Sequence, residues 1–255
     1  MRILNLALAG IAVLPVLAAA ARAEPTEITV RVLSRDAKFI GTSMGGMRVT
    51  LRDAHTGEIL ATGLTRGGTG DTKRLMHKDG GRRIQLSDPS AAKFAVTLDI
   101  DEPRLVEVEA YGPVGQPQAA QRVLSTQWVV PGKHHTGGDG WVLEMPGFAV
   151  DVLGPPAHVR LKGASQVDVR ANVVMMCGCP IEPGGLWDAD KYDVQAIVRR
   201  DGKKIAQIPM RYAGETSQFS ASVPIDQSGV YEVIVYAHDP GNGNTGLDRT
   251  TFLVD

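Results

Sequence analysis

Apolar and polar residues alternate along this chain in short runs, and a period of two forces half-buried β-strands on any fold it adopts. Ile28, Val30 and Val32 are separated by Thr29 and Arg31, and Met47, Val49 and Leu51 by Arg48 and Thr50. The runs Phe94, Val96, Leu98, Ile100 and Val106, Val108, Ala110 continue the pattern. Gly- and Asp-containing turns lie between them, and no long stretch shows helical periodicity with caps. The 29 glycines and 15 prolines suit such a turn-rich chain. Strands that are apolar on one face bury it by stacking sheets, so an all-β sandwich architecture is expected.

The N-terminus carries a different signal. Arg2, an apolar run from Ile3 to Leu17, and the sequence Ala21-Arg22-Ala23 are the three parts of a cleavable signal peptide. The run is broken by Asn5, Gly10 and Pro15, and it is shorter than the roughly 20 apolar residues a membrane span requires. Glu24 rather than Cys follows the expected cut, which argues against a lipidated N-terminus. The mature protein is therefore expected to be periplasmic or secreted, with no transmembrane segment after signal removal. A formal net charge of −1, without runs of Lys or Arg, gives no footprint for nucleic acid.

In the second half, Val167, Val169, Ala171, Val173 and Met175 form one long strand face, and Tyr192, Val194, Ala196 and Val198 another. Asp201-Gly202 marks a tight hairpin. Gly154-Pro155-Pro156 reads as a stiff boundary. The expected organisation is a signal peptide (1–23), then two tandem β-sandwich domains, 24–153 and 154–255.

Two resemblances bear on these domains. Gly46 to Gly63, with a Thr56-Gly57 turn and a following Gly67–Gly70 bend, resembles the hairpin of transthyretin-like and carboxypeptidase-regulatory-like sandwiches. That likeness implies a binding, spacer or structural module and carries over no catalytic residues. Asp226-Gln-Ser-Gly229-Val-Tyr231, followed by Val233, Val235 and Ala237, resembles the tyrosine corner of immunoglobulin-like domains. The inter-sheet disulfide of antibody domains is absent, so the resemblance is to bacterial immunoglobulin-like domains.

Chemistry concentrates at Met175-Met176-Cys177-Gly178-Cys179-Pro180, which holds the only two cysteines. Three readings stay open. The sulfurs form a structural disulfide in an oxidising compartment, with both Met in the core. Alternatively, Cys177, Cys179, Met175, Met176 and a neighbouring His238 supply soft ligands for copper. The third is thiol exchange, disfavoured because no helix N-terminus is expected to activate a thiol. Pro180, Pro183 and the following glycines end the strand, so the cysteines are expected in an exposed or junctional loop.

If the sandwich is immunoglobulin-like, this loop lies at the same end as the Asp239–Gly246 loop, facing the preceding domain. Trp187, Asp239, Asn242 and Asn244 are then candidates for a junction surface. His134-His135 and the Asp239–Asp248 stretch are read as a solvated loop and a turn cluster, because neither has metal-site spacing. No hydrolase elbow, phosphate loop or zinc-protease helix is present. The expected function is a non-enzymatic module that presents its domain junction to a protein partner or small ligand. A copper-handling accessory protein is the alternative.

Overall fold

The computed structural model describes residues 22–77 and 84–255; most of the expected signal peptide lies outside the described residues. The first strand, β1 (Glu24–Ser34), begins at the residue after the expected cleavage site. Its alternate residues Thr26, Ile28, Val30, Val32 and Ser34 are buried, as the period of two demands. β1 pairs antiparallel with β4 (Phe94–Ile100) and parallel with β7 (Trp141–Met145). Facing this sheet is a second, ordered β3 (Ile59–Leu64), β2 (Arg48–Asp53), β5 (Arg104–Gly112), β6 (Gln121–Val129). Val49, Leu51, Val106, Val108 and Ala110 are its buried inner face. A short α-helix, α1 (Thr72–Met76), is capped by the Asp71 carboxylate, which accepts from the Arg74 N–H at 2.7 Å.

The second sandwich stacks two sheets in the immunoglobulin-like manner. One is ordered β13 (Arg211–Tyr212), β14 (Gln218–Pro224), β10 (Gln166–Met175), β8 (Phe148–Gly154). The other runs β12 (Lys203–Pro209), β11 (Asp193–Arg200), β15 (Gly229–His238), β16 (Thr245–Val254), β9 (Val159–Leu161). Asp201 and Gly202 both take positive φ, 49° and 79°, as the two central residues of the favoured hairpin turn do. Tyr231 is fully buried, stacks on Phe252 at 5.2 Å, and donates its hydroxyl to the Gln227 carbonyl at 2.7 Å. This is the tyrosine-corner geometry.

The boundary differs from the expected one. β8 ends at Gly154, yet it pairs antiparallel with β10 from Met175↔Phe148 to Arg170↔Gly154. The chain therefore enters the second sandwich at Pro146-Gly147. Gly154-Pro155-Pro156 instead carries the first strand from one sheet to the other, where β9 runs parallel to β16. The Pro pair marks a sheet switch because proline ends one hydrogen-bonded ladder before the next begins. No helix among the described residues is long and apolar enough to cross a membrane.

Candidate functional site at the domain junction

The sulfur motif begins where β10 stops. Gly178 N–H donates to the Met175 carbonyl at 2.7 Å, and Met175 N–H to the Cys179 carbonyl at 3.1 Å, closing a tight turn. Gly178 takes φ +78°, and a Cβ there would lie 2.7 Å from Met44 Sδ of the first sandwich. The positive φ calls for glycine. The returning chain is fixed by Ser217: its hydroxyl accepts from Ile181 N–H at 3.0 Å, and its carbonyl accepts from Val173 N–H at 2.8 Å.

The two sulfurs form a close pair, with Cα atoms 5.4 Å apart. Cys177 and Cys179 are only 1% and 4% exposed, and Met175 and Met176 are fully buried. The loop is junctional, but it is not exposed. The Thr42–Met44 turn of the first sandwich packs Met44 over it, a cover that the local proline and glycine spacing does not disclose.

His238 ends β15 opposite Asp193 and Thr245, with Nδ1 3.4 Å from Thr245 Oγ1. Among the described residues, no three His, Cys, Asp or Glu side chains are grouped to hold a metal ion. His134 and His135 are built into the edge of β1. His134 Nδ1 accepts from Glu27 N–H at 3.0 Å, and His135 exchanges backbone bonds with Glu27 and Thr29.

The junction candidates are engaged by the first sandwich. Trp187, 8% exposed, donates Nε1–H to the Asp36 carbonyl at 2.9 Å. Asn242 donates its side-chain amide to the Asp36 carboxylate. Buried Asn244 accepts from Gly147 N–H at 2.9 Å and donates to the Arg35 carbonyl at 3.4 Å. Asp239 shapes this loop by accepting from Gly241 N–H at 2.7 Å. The partners Arg35, Asp36, Met44 and Gly147 carry no sequence motif; only Asp36, at φ 51°, departs from ordinary backbone among the non-glycine members of this set.

Tyr192 lies beside this contact, edge-on to Phe148 at 5.0 Å. Burial first, then the Asp239, Asp36 and Asp188 carboxylates, push its hydroxyl up to about 12. The native state thus holds the phenolic proton more tightly than the unfolded chain. Its contribution to stability is complete below an ordinary value of 10.0 and is lost as pH rises through about 12. Denaturation midpoints followed from about pH 9 to about pH 12 should fall more steeply for wild type than for Tyr192→Phe; superimposable curves would show that this hydroxyl does not couple to folding.

These features define a tandem β-sandwich protein whose second unit is immunoglobulin-like and whose junction is polar and tightly joined. No family model matches the sequence, and no curated protein matches it. Among solved structures the chain is similar to the fibronectin(III)-like modules of Clostridium thermocellum CbhA, at 11% identity over 93% of this chain and 92% of that one, with a TM-score of 0.30. A DUF3823 family protein from Bacteroides uniformis gives 12% identity over 90% of this chain and 100% of that one, with a TM-score of 0.30. An engineered protein gives 18% identity and a TM-score of 0.32, over 46% of this chain and only 22% of that one. The fold is defined by the chain's own strand ladders.

Proposed function

We propose that this chain is an exported, non-enzymatic accessory module that offers its domain junction to a protein partner. The observation that supports this reading is a cleft of about 220 Å³ between the sandwiches, lined by Gln118, Gln121, Phe148, Thr245 and Leu247. Leu247 stands 49% exposed at its edge, an apolar side chain beside polar ones. The hydrogen bonds of Trp187, Asn242 and Asn244 hold the two walls of this cleft in fixed relation. The first sandwich belongs in this reading to the transthyretin-like or carboxypeptidase-regulatory-like kind. Its β2–β3 hairpin and the Gly67–Gly70 bend support that placement.

A photoreactive phenylalanine at position 247, in protein expressed in its native host, tests the proposal. Crosslinks to a discrete protein from position 247, and not from Ile205 on remote β12, are expected. Equal crosslinking from both positions, or none from 247, would overturn it.

Copper handling is a second reading, favoured by one contact: the Met44 thioether sits against the Cys177–Cys179 turn. The paired, buried sulfurs bind copper in this reading only after reduction, since the thiolate is the ligand. Reduced protein that takes up no Cu(I) above the level of a Cys177→Ser variant would end it.

A further inference from the structure

The second sandwich carries a larger cleft, away from the junction, where β12 of one sheet meets β13, β14 and β10 of the other. It measures about 570 Å³ and is lined chiefly by Asp168, Arg170, Ile208, Arg211, Ser220 and Ser222. That volume lies in the range of small-ligand sites.

Strand register explains how these residues meet. Arg170 of β10 and Arg211 of β13 both stand opposite Ser220 of β14. With neighbouring strands about 4.8 Å apart, the two arginine Cα atoms lie about 10 Å apart, within reach of one shared anion above Ser220. The four other arginines of this sandwich, Arg160, Arg199, Arg200 and Arg249, each pair with a carboxylate. Among the described residues, Arg170 and Arg211 have no carboxylate within 4.0 Å. Arg170 Nη2 donates instead to the neutral Gln218 Oε1 at 2.6 Å. The two guanidiniums without a charge partner are thus the two that line the same cleft.

The next row of the sheet has the opposite character. Asp168 stands opposite Ser222, two residues along β10 from Arg170, or about 6–7 Å by strand rise. The cleft is therefore cationic at one end and hydrogen-bond accepting at the other, with the apolar Ile208 at its side. Guanidinium forks match the planar geometry of a carboxylate, and a carboxylate such as Asp168 accepts from hydroxyls. A hexuronate ring carries its carboxylate and its far hydroxyls across a comparable span.

We propose that this cleft binds an acidic saccharide: a uronate carboxylate held between Arg170 and Arg211 over Ser220, with ring hydroxyls facing Asp168 and Ser222. The proposal is independent of the junction reading and can fail without it.

Calorimetric titration of the full chain with trigalacturonate is the test. Binding is expected to weaken as sodium chloride is raised, and to fall about tenfold or more in Arg170→Gln and in Arg211→Gln, as loss of a charge-assisted pair requires. Arg160→Gln, on the opposite sheet, should bind as wild type does, and unchanged denaturation midpoints would show that the cleft variants remain folded. Three results would overturn the proposal: no binding of trigalacturonate, binding undiminished in Arg211→Gln, or equal binding of the neutral galactose trimer. Equal binding of sodium sulfate or N-acetyl-trialanine would reduce the cleft to a general anion site and overturn the saccharide assignment.

Discussion

Tyr231→Ala is expected to destabilise the protein by roughly 3–5 kcal/mol, because it empties a fully buried aromatic site that the surrounding strands cannot refill. The site is closed on one side by Phe252, stacked 5.2 Å away. Tyr231→Phe keeps that packing and removes only the hydroxyl bond to the Gln227 carbonyl. Its cost should be about 1 kcal/mol. Urea denaturation of the two variants separates the packing contribution from the hydrogen bond. Equal and negligible shifts in midpoint would show that Tyr231 does not brace the corner.

Trp187→Ala should have an effect of similar size, roughly 3–5 kcal/mol, because an almost buried indole is lost. The physical consequence is different, since this side chain spans the junction. Its loss also leaves the Asp36 carbonyl without the indole N–H donor. The variant is expected to unfold in two separated transitions as the sandwiches lose their coupling, whereas Trp187→Phe should lose about 1 kcal/mol and keep them joined. Leu186, its exposed neighbour, supplies the control. If Trp187→Ala shifts the midpoint no more than Leu186→Ala does, Trp187 is not an anchor of the junction.

Much of the second sandwich was legible from local pattern. The alternating runs ending at Met175, Val198 and Ala237 are β10, β11 and β15, and the Asp201-Gly202 turn is where the sequence places it. These features depend on neighbours about two to five residues apart, which a single sequence displays directly. The boundary was not legible. Phe148, Ala149 and Val150 alternate no more clearly with the first domain than with the second, and their partner strand begins beyond Pro155-Pro156. Burial of the cysteines was hidden for the same reason: Met44, which covers them, is distant in the chain. The Asp239–Gly246 loop is singled out by topology, because loops at one end of an immunoglobulin-like sandwich meet whatever precedes it. Their bonding to Arg35, Asp36 and Gly147 required the three-dimensional contact. The Arg170–Ser220–Arg211 row had no sequence signature, since it depends on register across three strands.

Both sandwiches are closed in the same way, by a parallel pair between an early strand and the last. In the first sandwich β1 and β7 run side by side from Val30↔Trp141 to Ser34↔Met145. In the second, β9 and β16 do so from Val159↔Phe252 to Leu161↔Val254. Tension applied to the two chain ends pulls β1 and β7 along their length in opposite directions, and reaches β9 and β16 only through β8, which β10 holds. The rungs of each ladder are then loaded together, in shear, and do not break in succession as those of an unzipping hairpin do. With only Pro146-Gly147 between the sandwiches, and the Gly147 N–H held by Asn244, there is little slack to take up before that load arrives. The chain accordingly carries two such parallel pairs in series, one per sandwich.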